Sequence, residues 1–313
     1  MTSSAFGLPP ASAPPDAASA APGSSGRRRL ISALYTRRRL QLGLLLAAPT
    51  GWFAFVYLGS LAILLVAAFW YLDPVTSAVI HSFTLKNFAT LVTEPVYATI
   101  ALRTVTVAAA VTILDAAIAF PIAFYMARVA SPRLRSILFM LVLLPLWSSY
   151  LVRVYAWRVI LSPGGLLDWS AGSIGLPGLN PGFSETSMVL VFAYLWLPYM
   201  ILPIYAGLER IPQSFFEASA DLGGRGWMTF RRIVLPLALP ALAAGSIFTF
   251  SLTLGDYITP KLIGNSQFLG NVIYDSQGVA NNVPFAAAFA VVPILIMAAY
   301  LLAARRLGAF EAL

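Results

Sequence analysis

The chain has 313 residues and a net charge of +8, and 59% of its residues are hydrophobic whereas only 10% are charged. A soluble domain carries about 25% charged residues, so this composition excludes an ordinary water-soluble globule and indicates an integral membrane protein. The chain has no cysteine and one histidine, His81, which excludes disulfides, thiolate sites and multi-histidine metal sites. We therefore expect no metal and no cofactor.

The same residue counts argue against an enzyme. The two lysines, Lys86 and Lys261, follow a leucine and a proline, so the chain has no P-loop of the form GxxxxGK[ST] with which to hydrolyse ATP. No G-x-S-x-G motif is present to hold a serine nucleophile. The arginines flank apolar runs and do not gather on one surface, which argues against nucleic acid as a partner.

Residues 1–41 are predicted to form a disordered basic tail, because residues 1–26 are mainly Ala, Pro, Ser and Gly and two arginine triplets follow. The first apolar run, residues 42–72, is far longer than the h-region of a signal peptide, which has about 7–15 residues. We therefore expect this first span to be retained.

Six apolar stretches are long enough to cross a hydrocarbon core of about 30 Å, which takes about 20 helical residues. Backbone groups in lipid must find their hydrogen bonds within the segment, so the spans are predicted to be helices with kinks at their prolines. Arg153 and Arg158 make the third span the weakest. The result is an all-α integral membrane protein with six transmembrane helices at about 42–72, 97–127, 137–161, 188–208, 233–254 and 283–304.

The positive charges predict the orientation of these spans. Most arginines lie in the two termini, in the loop after the second span and in the loop at 209–232. Positive residues are enriched on the cytoplasmic side, so both termini, including residues 305–313, are predicted to be cytoplasmic. The loop between the third and fourth spans could hold a short additional helix, which the sequence leaves undecided.

Residues 209–232 are too polar to enter the membrane. Phe216, Ala220, Gly223, Trp227 and Phe230 recur at the spacing of one helical face, with charged residues elsewhere. This pattern indicates an amphipathic segment that either lies on the bilayer surface or docks against another protein.

The loop also contains a spaced motif: Glu217-Ala218-Ser219, three residues, Gly223, nine residues, and Ile233-Val234-Leu235-Pro236. This motif resembles the EAA signature of the membrane permease subunits of ABC importers, with Ser219 in place of an alanine. The resemblance implies a pair of coupling helices that insert into a cleft of an ATP-binding subunit, with a turn at Gly223. The residues it assigns to coupling are Glu217, Ala218, Ser219, Asp221, Gly223, Leu235 and Pro236.

Two further motifs are more specific. Residues 144–157, LPLWSSYLVRVYAW, and residues 255–264, GDYITPKLIG, are similar to stretches of the spermidine/putrescine-type permeases. The resemblance implies a type I importer fold in the bacterial inner (plasma) membrane and a polyamine or related small organic cation as substrate. It also implies as partners a second, non-identical permease subunit, two ATP-binding subunits, an external substrate-binding protein and the lipid bilayer.

Several residues of the spans are candidates for a translocation pathway. Asp115 lies near the middle of the apolar run 105–127, where a carboxylate costs about 2.5–3.5 kcal/mol and is not expected to face lipid. It either makes a structural hydrogen bond or lines the path of a cation. Asp256 has an external-gate role by resemblance, with helix capping as the alternative, and aromatic rings near span ends are typical of an interfacial belt. The pathway candidates are Asp115, Asp256, Tyr257, Trp147, Tyr150 and Arg153.

Other functions stay open. Arg153 and Arg158 would repel a polyamine, which keeps another amine, an amino-acid-like solute or a zwitterion as alternative substrates. An ion-coupled secondary carrier without an ATPase would work through Asp115. An internal repeat would favour such a carrier, but residues 42–161 and 188–304 show no convincing self-similarity. A membrane scaffold would leave the patterned loop without a purpose.

Overall fold

The computed structural model describes residues 38–175 and 180–308. The chain divides into two compact units, with the boundary after Ala62. The packing described below is that of the second unit, which starts at Ile63. The predictions for residues 1–37 and 309–313 lie outside the described residues. In the described ranges, five helices are long and apolar enough to cross a membrane: Leu45–Ala67, Pro95–Val129, Glu185–Glu209, Gly226–Gly255 and Val283–Arg306.

The first span consists of α1 (Arg38–Phe53), a π-helical turn (Ala54–Leu58) and α2 (Gly59–Ala67). The helix α1 begins at Arg38, inside the region predicted to be a disordered tail, although the apolar span starts only at Leu45. The span ends at Ala67, five residues before the predicted limit at residue 72, because a hairpin follows it.

Tyr71–Leu72 is a strand, β1, that pairs antiparallel with β2 (Val79–Ile80). The carboxylate of Asp73 accepts hydrogen bonds from the backbone N–H of Val75 and the hydroxyl of Thr76, both at 2.9 Å. An aspartate that bonds the backbone two residues ahead closes a turn. The helix therefore ends at Ala67, before residue 72, and the chain continues into a hairpin.

The third span, predicted at about 137–161 as one helix with a kink at its proline, is instead broken into two helices. Its residues form α5 (Pro132–Trp147) and α6 (Tyr150–Leu161), which meet at an angle of 91°. Pro145 lacks the N–H of an α-helical turn, and Ser148 adopts an extended backbone while its hydroxyl donates to the Pro145 carbonyl at 2.7 Å. The pair is one broken span or a re-entrant loop, so the described residues hold five spans, or six if this pair counts as one.

The remaining elements follow the apolar pattern. Ser131 caps α5, with its hydroxyl accepting from the N–H of Leu134. A short helix, which the sequence left undecided, follows the third span. In chain order the elements are α3 (Lys86–Thr93), α4 (Pro95–Phe124) with a π-helical turn (Tyr125–Val129), α7 (Leu166–Ser173), α8 (Glu185–Glu209), α9 (Gln213–Asp221), α10 (Gly226–Thr229) with a π-helical turn (Phe230–Val234), α11 (Leu235–Gly255), α12 (Ile258–Leu262), α13 (Leu269–Gly278) and α14 (Val283–Arg306).

The core of this unit lies where α4, α8 and α11 pack against one another. Small residues let the helices approach closely: a Cβ at Gly245 of α11 would lie 2.9 Å from the sulfur of Met200 in α8. One buried cluster, around Met126, Met200 and Ile204, joins the ends of these helices nearest the loop 209–232. A second, around Val111, Phe192 and Trp196, joins the opposite ends.

Candidate functional site

The loop between α8 and α11 turns at a Schellman motif. Gly223 has φ +74°, its N–H donates to the Ala220 carbonyl at 2.9 Å, and the N–H of Gly224 donates to the Ser219 carbonyl at 2.7 Å. These two bonds satisfy carbonyls that the end of α9 leaves free, and the positive φ favours glycine. The structure therefore places the end of α9 at the glycine that the motif singled out.

The turn corrects the prediction of a single helical face through the loop. The chain reverses between α9 and α10, so the five apolar residues do not share one continuous helix. Phe216 and Phe230 instead come from the two sides of the turn and pack against the same buried cluster. Trp227 is exposed and stacks on Phe230, with 5.3 Å between ring centroids.

Two residues that sequence reasoning missed stabilise this turn. A Cβ at Gly224 would lie 2.4 Å from the hydroxyl oxygen of Ser219, so only glycine fits there. The hydroxyls of Ser219 and Thr229 form a hydrogen bond of 2.7 Å across the turn. Ser219, which departs from the EAA pattern, is buried and links α9 to α10 in a way that an alanine cannot.

The other loop residues singled out by the motif are mostly on the surface. Glu217, Ala218, Asp221 and Pro236 are exposed, and Leu235 is half-buried against the core. Ala218 also lines an open cleft of about 320 Å³ with mainly apolar walls. An apolar cleft within an otherwise polar surface resembles the apolar core and polar rim of protein interfaces. The cleft is lined by Phe215, Ala218, Ser219, Leu222, Gly224, Met228, Arg232 and Ile233.

A second candidate site lies at the opposite end of α11. The hydroxyl of Tyr150 donates to the carboxylate of Asp256, which also accepts from the hydroxyl of Thr259 at 3.0 Å. The other carboxylate oxygen accepts from the backbone N–H of Ile258 at 2.7 Å and of Thr259 at 3.2 Å. Asp256 therefore caps α12. Burial raises the pKa of the Asp256 carboxyl, whereas the hydrogen bonds from Tyr150 and Thr259 act in the opposite direction.

Tyr257 belongs to a neighbouring exposed cluster. Its ring stacks on Tyr274 with 4.5 Å between centroids. The ammonium of Lys261 lies 4.5 Å from the centre of the Tyr274 ring and 3.0 Å from a carboxylate oxygen of Asp275. These contacts hold α12 against α13.

The three other pathway candidates are dispersed. Trp147 ends α5 and is 88% exposed, whereas Arg153 of α6 is only 8% exposed. Asp115 of α4 is completely buried, and neither of its carboxylate oxygens has a hydrogen-bond partner among the described residues. Of the six candidates, the described structure joins only Tyr150 and Asp256 by a side-chain hydrogen bond.

Arg128, which counts in the sequence only as a charge that orients the spans, contacts the loop 209–232 in the structure. Arg128 lies in the π-helical turn after α4, and its guanidinium donates to the carbonyls of Leu208 and Ile211. The same guanidinium lies over the ring of Phe216 in α9. No sequence signal indicates these contacts, because the partners are about eighty residues away along the chain.

Comparisons with known proteins agree with this architecture. The family model described as "Binding-protein-dependent transport system inner membrane component" matches residues 119–309. The inner membrane ABC transporter permease protein YdcU of Escherichia coli is 48% identical over 288 residues, which cover 88% of this chain and 92% of the relative. The spermidine/putrescine transport system permease protein PotB of Haemophilus influenzae is 31% identical over 222 residues, covering 69% and 76%.

Solved structures show the same fold. A bacterial alginate ABC transporter in complex with a periplasmic protein bound to alginate pentasaccharide superposes with a TM-score of 0.70 at 17% identity, covering 91% of this chain and 98% of that chain. The MetNI methionine ABC transporter superposes with a TM-score of 0.51 at 16% identity, covering 70% and 99%. At these identities the likeness concerns the fold alone, and it is the permease fold of type I ABC importers.

The predicted fold class, inner-membrane location and lack of enzymatic activity are confirmed, and the ion-coupled carrier is set aside. ATP hydrolysis in such systems lies in separate subunits. The chain is a multi-pass permease subunit of a bacterial ABC importer and belongs to the family of binding-protein-dependent transport system inner membrane components.

Proposed function

We propose that this permease subunit forms the pathway by which a polyamine such as spermidine or putrescine, or a related small organic cation, crosses the inner membrane. The observation that carries the proposal is the hydrogen bond between Tyr150 and Asp256. It brings together the two motifs, residues 144–157 and 255–264, that are similar to polyamine permeases. The 31% identity to a relative named for spermidine/putrescine transport supports the same substrate class.

The chemistry of this contact suits an ammonium group. A carboxylate and aromatic rings attract a cation through charge and through the electron-rich ring faces. Tyr150 and Trp196 stack with 5.7 Å between centroids, next to the carboxylate of Asp256. In the proposed pathway this cluster and the exposed residues Tyr257 and Trp147 lie at the outer mouth.

Asp115 is a proposed pathway residue deeper in the membrane. Val111, one turn before it, shares a buried cluster with Trp196, and Ala119, one turn after it, shares another with Met200. Asp115 therefore lies on α4 between residues of the two buried clusters. The indole N–H of Trp196, like the Asp115 carboxylate, has no hydrogen-bond partner among the described residues. An ionisable side chain inside a membrane span is by default a candidate for a transport pathway, which supports this role for Asp115.

For the loop 209–232 we propose a coupling role. A chain without a P-loop must receive the work of ATP hydrolysis through contact with another subunit. Glu217, Ala218 and Asp221 provide the exposed contact surface, while Ser219 and Gly223 hold its turn. Leu235 and Pro236 connect the loop to α11.

The proposed partners follow from the assignment of ATP hydrolysis to other subunits. They are two ATP-binding subunits at the coupling loop, a second permease subunit that is a non-identical paralogue, and an external binding protein that delivers the substrate. The solved alginate transporter with its bound periplasmic protein is an example of the last kind of partner.

A zwitterionic or amino-acid-like substrate is the second candidate, and Arg153 favours it. This arginine is buried in α6, and its Nε and Nη1 atoms have no hydrogen-bond partner among the described residues. A buried guanidinium of this kind could pair with a substrate carboxylate.

Uptake by the full complex in proteoliposomes, with its binding protein outside and ATP inside, tests the proposal. We expect saturable uptake of labelled putrescine or spermidine that needs ATP, and a lower uptake with Asp256→Asn because the variant removes the negative charge. Asp275→Asn is the matched control, since it removes an exposed carboxylate near the same mouth that pairs only with Lys261 in the described structure. Uptake of a neutral amino acid with no competition from polyamines would favour the second candidate instead.

A further inference from the structure

Arg128 connects the loop 209–232 to two spans. It lies in the π-helical turn Tyr125–Val129, which ends the second span. Its Nη2 atom donates to the carbonyl oxygens of Leu208, in the last turn of α8, and of Ile211, two residues after α8 ends. The last carbonyls of a helix have no partner within the helix, and a cation there is favourable. This contact fixes the end of α8 to the end of the second span.

The other contact of Arg128 is with α9 of the loop. The central carbon of the guanidinium lies 4.8 Å from the centre of the Phe216 ring, in α9. Arg128 is half-buried, so this cation–π contact is partly shielded from water and stronger than one on the surface. A single planar group thus contacts α8 through its edge and α9 through its face.

We propose that Arg128 is a positioning residue that transmits movement of the coupling loop to the second and fourth spans. This inference rests on the coupling role proposed above for the loop. Movement of α9 shifts Phe216, and the guanidinium carries the shift to the end of α8 and to its own turn. That turn is π-helical, and such turns within α-helices are often found at functional sites.

Arg135 provides a contrast at the same turn. Its guanidinium donates to the carbonyls of Met126 at 3.0 Å and Ala127 at 3.2 Å, and it pairs with Glu209 at 3.4 Å. Arg135 therefore stabilises the turn and contacts the end of α8, but none of its contacts in the described structure is with α9. Loss of Arg135 weakens the turn but leaves the contact between Arg128 and Phe216 of α9 in place.

The experiment uses the full complex in proteoliposomes with its binding protein. It measures the ratio of labelled putrescine transported to ATP hydrolysed. In Arg128→Lys the charge is kept, but a lysine cannot both bridge two carbonyls and stack flat on a ring. We expect this ratio to fall about threefold to tenfold, the size of one cation–π contact, while ATP-binding subunits stay bound. Phe216→Leu, which keeps apolar volume, should lower the ratio similarly, and the double variant should be no worse than either single variant. Arg135→Lys should leave the ratio unchanged.

A wild-type ratio in Arg128→Lys, or an equal loss in Arg135→Lys, would overturn the inference. If Arg128→Lys does not assemble, Phe216→Leu decides, because it leaves the arginine and its carbonyl partners intact, and a wild-type ratio there also contradicts the link. A separate arm with Glu217→Ala tests the coupling role of the loop itself: unchanged binding and stimulation of the ATP-binding subunits would refute that role, whatever the Arg128 variants do.

Discussion

At the scale of single residues, Asp115 combines complete burial with unsatisfied oxygens. Its surroundings in the three-helix core are not apolar throughout. Thr249 of α11 is also fully buried, and its hydroxyl likewise lacks a partner among the described residues. Thr249 is one helical turn beyond Gly245, and Gly245 approaches Met200 of α8. Buried polar groups without partners in the described structure thus occur on both α4 and α11.

Replacement of Asp115 by asparagine tests whether this buried carboxyl group serves transport. If Asp115 lines the pathway of a cation, Asp115→Asn should lower polyamine uptake about tenfold with normal assembly, because the variant removes the negative charge that attracts an ammonium in a low-dielectric site. A tenfold loss corresponds to about 1.4 kcal/mol. Uptake in proteoliposomes and size-exclusion chromatography of the complex measure the two effects. The control is Thr112→Val on the same helix, since the Thr112 hydroxyl bonds only its own turn, to the Ala108 carbonyl at 2.7 Å. Normal uptake in Asp115→Asn would remove Asp115 from the pathway.

At the scale of elements, the loop 209–232 depends on backbone geometry that few residues permit. The two glycines at its turn have different reasons to be glycine. Gly223 needs a positive φ, whereas Gly224 leaves room for the Ser219 side chain. The EAA spacing points to the first and not to the second, because a close contact between neighbouring backbone and side-chain atoms has no periodic signature.

Alanine at Gly223 should weaken the attachment of the ATP-binding subunits. A left-handed backbone costs an L-residue about 1–2 kcal/mol, so Gly223→Ala should reduce their affinity about tenfold by straining the docking surface. Co-purification and a binding titration with the ATP-binding subunits provide the measurement. Gly226→Ala is the matched control: it lies in the same loop, its φ is not positive, and a Cβ there meets no atom within 4 Å. Equal affinities for the two variants would contradict the role of the turn.

At the scale of the whole molecule, the orientation of the chain decides which partner meets which surface. The positive-inside rule predicts that the loop 209–232 lies in the cytoplasm and that the hairpin formed by β1 and β2 lies outside. The two surfaces are separated by the three-helix core. A chain without native cysteine is suited to testing this orientation, since each introduced thiol is the only one.

Labelling with a membrane-impermeant maleimide should distinguish the two sides. Val75 at the tip of the hairpin is 89% exposed, and Ala218 is exposed on the loop. We expect Val75→Cys to be labelled in cells whose outer membrane is permeabilised and whose inner membrane is intact. Ala218→Cys should be labelled only after the inner membrane is also permeabilised. The cysteine-free parent is the control for background. Labelling of Ala218→Cys from outside would contradict both the orientation and the coupling role of the loop.

Much of this architecture can be predicted from the sequence. The helical class, the number of apolar stretches and the place of the loop follow from hydropathy, because lipid forces each span to satisfy its own backbone. The 91° break between α5 and α6 does not follow. A proline and two serines in an apolar run are compatible with a kinked helix as well as with two helices, and packing chooses between them.

The sequence by itself determined that the chain crosses a membrane, that it cannot hydrolyse ATP through a P-loop, and that it carries the signature of an importer permease, since each of these depends on composition or on local spacing. Only the tertiary structure decided which distant side chains meet. Tyr150 and Asp256 are 106 residues apart, and Arg128 and Phe216 come from different elements. Such contacts depend on how bent helices pack in three dimensions, and no linear spacing encodes that packing.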